Sequence, residues 1–336
     1  MPIQQMLLGA GGAAEDRGTE DIITAGHTDY TWVNDTTTWV CPAGVTSISI
    51  VCIGAGARLG GNGSSHGGGG GGLGWKNNIT VSPGTSYSVQ VGEAWNNNSH
   101  IDNVNPNDTW FKNASGTIIV KGGAGSGQTG GSYTGDGGGT GGAGGTTYAS
   151  WGNVSRGAGG GCAGYGYIDG NGTLQPGNGG AGADGAQSGT TGNQGSNGLN
   201  NAASGGNTMG NSNSHSACNM SGGGGGSHLY GTGGTLAGMK GATNSNTTPH
   251  TGTGRQGTNG QDGDIGTTSN FDANRDTNMN TTGNTGYPTG NNAFGGGHGT
   301  PASTTCTAAG ESKGGAIRII WPGNTRTFPD NALQTT

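Results

Sequence analysis

The chain has 336 residues, of which 83 are glycine, only 28% are hydrophobic and 9% are charged, with a formal net charge of −6. That balance excludes a single large apolar core and a basic surface for nucleic acid, and no apolar window approaches the roughly eighteen residues of a membrane span. The five cysteines (Cys41, Cys52, Cys162, Cys218, Cys306) are odd in number and widely scattered, with no C-x-x-C pair, so neither a disulfide framework nor a zinc site is expected.

Residues 1–28 read as a polar, glycine-spaced arm. Their opening, MPIQQMLLGAGGAAED, has no basic leader and a short apolar run, so it is not expected to act as a secretory signal. A protein of this kind would reach the outside of a cell by assembly and lysis. Residues 29–121 differ in kind. Tyr30, Trp32 and Val33 precede a turn at Asn34-Asp35. Over Val45–Ile53, Ile48, Ile50 and Cys52 share one face and Ser47, Ser49, Val51 and Ile53 the other, which predicts a half-buried strand with Cys41 and Cys52 as core fillers. Ile79–Val81, Ser82-Pro83-Gly84-Thr85 and Tyr87–Val91 predict a hairpin around a type II turn, with glycine at the positive-φ position. Thr117–Val120 is a further strand.

Residues 122–312 hold most of the glycine and few aliphatic side chains. Glycine returns every third residue at Gly189, Gly192, Gly195 and Gly198, and again at Gly254, Gly257, Gly260, Gly263 and Gly266. Three residues per turn is the repeat of polyproline II, a helix with no internal hydrogen bonds. Glycine at each third place leaves one face bare, so neighbouring backbones can approach and pair. A polyglycine II bundle held by hydrogen bonds is one reading; a disordered linker is the other. They differ in whether nearly every backbone group finds a partner. Collagen is excluded by broken periods and only 10 prolines.

Ala316–Trp321 is one more apolar strand at the far end, and a lone strand needs a sheet. The only sheet available comes from residues 29–120, so this strand is expected to return to it. The glycine region then becomes an excursion between two neighbouring strands, leaving at Lys121-Gly122-Gly123 and rejoining at Lys313-Gly314-Gly315. The predicted fold is all-β: a small antiparallel sandwich from residues 29–121 plus 313–336, completed by the C-terminal strand, with an inserted polyglycine II domain. No 3.6-residue apolar period is present, and no α-helix is expected.

Short motifs carry little chemistry here. G-x-G-x-x-G recurs by composition alone, without the strand and helix that a dinucleotide needs, and there is no Walker A pattern. G-x-S-x-G at Gly63–Gly67 and at Gly310–Gly314 lacks the strand-turn-helix of a nucleophile elbow. Gly179–Asp184 matches the start of a calcium nonapeptide repeat, but a single copy cannot stack. Asp262 and Asp264 read as a solvated pair, the seven histidines are scattered, and sequons at Asn78, Asn107 and Asn113 follow from abundant Asn and Thr. No catalytic residue, metal or cofactor is predicted. What remains are large side chains set in glycine: Trp151, Tyr165, Tyr167, His228, Leu229, Tyr230, Phe271, Tyr287 and Phe294. They either display an apolar face with a polar edge at bundle tips, fit for sugar rings or outer-membrane loops, or they cap the bundle against the sandwich.

The segments TTTWVCPAGVTSISIVCIGAG, GGGGGGLGWKNNITVSPGTSYSVQVG and GGAIRIIWPGNTRTFPDN, with the opening MPIQQMLLG, resemble glycine-rich virion proteins of tailed bacteriophages, those of marine cyanophages above all. The glycine domain is also similar to the polyglycine II receptor-binding tips of some tailed phages, although this chain carries its own β-module. The resemblance implies a place on a phage particle, in the tail or on its exterior surface. As a tail-fibre or receptor-binding protein, the chain would join other virion proteins, pair with its own copies as a homo-oligomer such as a trimer, and meet a host glycan or outer-membrane protein. It would act by binding, without enzymatic chemistry, nucleic acid or membrane insertion. The alternative is a capsid-decorating or fibre-forming protein that polymerises through its glycine faces. An esterase built on G-x-S-x-G is the third reading, and serine-directed labelling is expected to fail.

Overall fold

The computed structural model describes residues 25–31, 36–57, 66–92, 107–150, 153–155, 157–184, 294–297 and 314–329, with isolated positions between 195 and 227. Among them every regular element is a β-strand and every pairing of named strands is antiparallel.

Two five-stranded sheets form a sandwich. The first runs β1 (Gly26–Thr31), β14 (Ala316–Trp321), β3 (Ser47–Ile53), β4 (Leu73–Thr80), β9 (Gly137–Gly139). The second runs β2 (Thr36–Val40), β5 (Ser86–Gln90), β6 (Thr109–Lys112), β7 (Ile118–Gly122), β8 (Tyr133–Thr134). Between them lie Trp39, Ile48, Ile50, Cys52, Tyr87, Val89, Phe111, Val120, Ile317 and Ile319. Alternation decides this: Ile317 and Ile319 point into the sandwich, while Ala316 and Ile320 point the other way.

The C-terminal strand does return to the early sheet. Ile317 stands opposite both Tyr30 of β1 and Cys52 of β3. Three sequence expectations need correction. β3 is not half-buried: Ile48 to Ile53 are all buried, because a second core covers its other face. That core holds Val51, Ile53, Leu73, Trp75, Tyr165, Phe294, Ile320 and Phe328. The turn at Ser82–Thr85 forms as read, with Gly84 at φ +73° and the Thr85 N–H donating to the Ser82 carbonyl at 3.1 Å. Its flanks do not pair as a hairpin. The Val81 N–H donates to Thr46 on the first sheet's side, and the Cys41 N–H donates to Thr85 beside the second, so the turn is a corner between sheets. Finally, β7 and β14, which bracket the glycine region, lie in opposite sheets and are not neighbours.

Glycine helices continue the strands. β3 runs on into 54–57, β4 is preceded by 66–72, β7 runs on into 123–125, and β14 is preceded by Gly314-Gly315. The segment 66–72 is the axis of the array. Its Gly67 and Gly70 amides donate to Gly145 and Gly142; Gly69 and Gly72 donate to Gly127 and Gly123; Gly71 donates to Gly295. Its Gly69 and Gly72 carbonyls accept from Ala57 and Gly54, Gly68 and Gly71 from Gly160 and Ala163, and Gly70 from Gly131. Four of these six directions recur at a spacing of three residues. That is the polyglycine II pattern, with segments 54–57, 123–127, 131, 142–145, 160–163 and 295 on all sides. A strand, by contrast, bonds only within its sheet plane.

Close approach excludes side chains at these positions. A Cβ on Gly70 would lie 2.1 Å from the Gly161 carbonyl oxygen, and one on Gly71 2.0 Å from that of Gly54. Register is locked on the bundle's flank by paired caps. Asn178 Oδ1 accepts from the Thr140 N–H and hydroxyl, both at 3.0 Å. Six residues later Asp184 Oδ1 does the same for Thr146, at 2.6 and 2.7 Å. The constant offset means segments 140–146 and 178–184 run parallel, whereas 142–145 runs antiparallel to 158–161. Neighbours of both senses coexist.

Candidate functional site

Of the large residues singled out in the sequence, three are described: Tyr165 and Phe294 meet in the second core, and Tyr167 stands apart from them. Tyr165 is 1% exposed, stacks on Phe328 with ring centroids 5.9 Å apart, and belongs to the second core. Phe294 is 2% exposed in that same core, its backbone bridged to Ser227 in both directions. Both weld the bundle to the first sheet, so neither ring reaches a partner at the surface. The reason is proximity to the sandwich: both belong to the cluster that holds Val51, Ile53, Leu73 and Trp75 of the first sheet. Trp151, His228, Leu229, Tyr230, Phe271 and Tyr287 lie outside the described residues. So do Gly189, Gly192 and the run Gly254, Gly257, Gly260, Gly263 and Gly266. Gly195 and Gly198 are described; a Cβ on Gly198 would lie 2.2 Å from the Ala202 carbonyl oxygen.

Tyr167 alone of the described candidates is outward, at 45% exposure. It rides on β12 (Gly164–Ile168), which pairs with β13 (Leu174–Gly177) and is bulged between Gly164 and Tyr167. The hairpin leaves the bundle at Ala163 and returns at Gly177. Its tip is built by Asp169. Oδ1 accepts from the Asn171 and Thr173 amides, each at 2.9 Å, and Oδ2 accepts from Gln175 Nε2 at 3.0 Å. The Gly172 N–H closes the turn on the Asp169 carbonyl at 2.9 Å, with φ +77° at Gly172. Hydrogen bonds from Thr173, Asn171 and Gln175 hold the carboxyl below its ordinary pKa. The β6–β7 tip copies this device with a neutral side chain. Asn113 Oδ1 accepts from the Ser115 and Thr117 amides at 3.1 and 2.9 Å, and Gly116 takes φ +83°.

The sequence reading missed a second outward surface on β6. Thr109 and Phe111 are fully buried, which turns Trp110 and Lys112 to the opposite face of the second sheet. The Lys112 ammonium sits 4.4 Å from the Trp110 ring centroid. Gln90 and Lys121 flank Trp110 on the neighbouring strands. Lys121 is paired with Asp108 at 3.1 Å. The only sequence signal was a four-residue alternation inside TWFK, too short to call.

Buried charge lies elsewhere. Arg318 on β14 is fully buried and faces Asp29 of β1, Nη1 to Oδ2 at 3.6 Å. Burial raises the Asp29 carboxyl above its ordinary pKa, with Arg318 and His27 opposing the rise. Arg326 Nη1 donates to the carbonyls of Gly26 at 2.6 Å and Trp321 at 3.1 Å, clamping β1 to β14. Cys41, Cys52 and Cys162 are free and buried, and burial raises each thiol. Among the described residues no cluster of His, Cys, Asp or Glu is arranged for a metal ion.

A family described as a glycine-rich domain matches residues 31–243. The match covers the whole second sheet, β3, β4 and β9 of the first, and the axis of the bundle. No curated protein matches the chain.

Proposed function

The chain belongs to the glycine-rich domain family, and from that premise we propose that it is a structural protein of a tailed-phage particle that attaches the particle to a host surface. The sandwich holds it to the particle or to sister subunits, and the glycine array presents recognition elements. Its action is binding, without covalent chemistry. One observation supports this most: a backbone-bonded scaffold projects a hairpin with Tyr167 nearly half exposed, on a tip fixed by its own hydrogen bonds. Binding residues carried on a rigid scaffold are the usual economy of recognition. The sequence resemblance supplies the phage setting. Labelled chain should bind host cells and compete with particle adsorption, and Tyr167→Ala or Tyr230→Ala should weaken both. Full competition by both variants rejects the role given to these tyrosines.

A second reading, a capsid-decorating or fibre-forming protein, is favoured by the sandwich's edge. β1 and β2 end their respective sheets side by side, with the Tyr30 hydroxyl reaching the Thr38 carbonyl at 3.5 Å. Terminal strands invite pairing with another copy. Cryo-microscopy of particles carrying a tagged chain separates the two, by placing the tag on the tail or on the capsid.

A further inference from the structure

The outer face of the second sheet carries a row set by cross-strand pairing: Gln90, Trp110, Lys121 and Thr134. Beside it on the same face stand Ser88 and Thr38, paired across β5 and β2. One indole is thus set among an amide, hydroxyls and two ammonium groups, with the exposed side chains of Ile118, opposite Lys112, and Val40, beyond Thr38, at the margins. The two sides of β6 differ sharply, since Phe111 is wholly buried while Trp110 and Lys112 are only partly covered.

This donor set fits a sugar ring better than a second apolar surface. The polarised C–H face of a pyranose stacks on an indole, and its hydroxyls need the amide and hydroxyl partners around it. Charge narrows the class. Lys121 is already answered by Asp108, but among the described residues Lys112 meets the indole and no carboxylate. An ammonium over a half-buried ring at the surface is a weak contact that an anionic ligand readily displaces. On a chain of net charge −6, an uncompensated lysine beside a tryptophan selects a local negative group.

We propose that this face, centred on Trp110, binds an acidic saccharide, stacking one ring on the indole and setting its carboxylate or sulfate against Lys112. Gln90 and Ser88 orient the hydroxyls. The inference rests on the reading of the chain as a surface-binding protein and names the ligand class and the site.

The test is binding of the full chain to an array of oligogalacturonate, polysialate and sulfated galactan, beside neutral galactan and polyglutamate. At least one acidic glycan is retained, and retention weakens as salt is raised. Trp110→Ala reduces that binding at least tenfold, Trp110→Phe keeps part of it, and Lys112→Gln weakens it while flattening the salt dependence. Thermal melts confirm that each variant is folded, and Trp110→Phe serves if Trp110→Ala is not. Retention of no acidic glycan, equal retention by Trp110→Phe, Trp110→Ala and wild type, or equal binding of polyglutamate overturns the proposal. So does a wild-type dimer that Trp110→Ala abolishes, which makes the face a contact between copies. Wild-type chain that coats host cells yet ignores every glycan sinks this inference alone; chain that coats no cells sinks the broader reading.

Discussion

The indole N–H of Trp75 donates to the backbone carbonyl of Tyr165 at 2.8 Å, across 90 residues of sequence. It joins β4 of the sandwich to the hairpin that leaves the glycine array, and the Tyr165 ring continues the layer onto Phe328. Trp75→Phe keeps most of the packing and loses the hydrogen bond, so it should cost about 1–2 kcal/mol. Trp75→Ala also opens a cavity and should cost about 3–5 kcal/mol. Urea midpoints of the two variants check this; an unshifted midpoint in Trp75→Phe would mean the indole nitrogen contributes nothing.

Gly70→Ala places a methyl 2.1 Å from the Gly161 carbonyl oxygen, inside an array where the obstructing atoms are backbone. Overpacking of a closely fitted interior costs about 1–3 kcal/mol or more, and here no side chain can swing aside. Gly170→Ala meets nothing within 4 Å and should be near neutral or slightly stabilising. Thermal melting of the pair gives the contrast directly.

Asp169 and Asn113 perform one task at two hairpin tips, so Asp169→Asn should keep the turn and Asp169→Ala should open it. The sign with pH follows from the lowered carboxyl of Asp169. Its support is complete above the unfolded value and fades as pH falls through the folded one. Amide exchange at Asn171 and Thr173, corrected for intrinsic rates, should therefore speed up in acid for the wild type. In Asp169→Asn it should stay slow.

Asp29 behaves in the opposite sense. Its folded pKa is raised by burial against the opposing charges of Arg318 and His27, so the native state holds that proton more tightly than the unfolded chain. Its contribution to stability is greatest below the ordinary value of 3.8 and declines as pH climbs to the raised one. Arg318→Met removes the larger opposing charge and lifts the carboxyl further. The Tm of that variant should fall with pH over a wider span above pH 4 than the wild type's. Parallel Tm profiles would show that Arg318 does not act on Asp29.

Strands with side chains were legible, because burial writes its period into them. Ala316–Trp321 was read to the residue, and its return to the early sheet followed from the need of a lone strand for partners. The array was legible in kind but not in place. Its axis, Gly67–Gly72, is uninterrupted glycine, and a run of identical residues has no phase to detect. The spaced runs that suggested three-fold helices fall mostly outside the described residues. The Ile79–Val81 and Tyr87–Val91 pair misled because a tight turn specifies a reversal of direction, not whether the arms share a sheet. Tyr165 and Phe294 misled because composition cannot tell which large residue set in glycine packs back against the sandwich.

Strands passing directly into glycine helices give the molecule two mechanical regimes on one axis. Across the sandwich, cohesion depends on direction: peptide bonding in the sheet plane, greasy contact between layers. Around Gly67–Gly72 the cross-section has no such grain, since amide links radiate to every side. A shearing force there finds no plane along which to delaminate, so the array around Gly67–Gly72 resists shear alike in every direction across its axis.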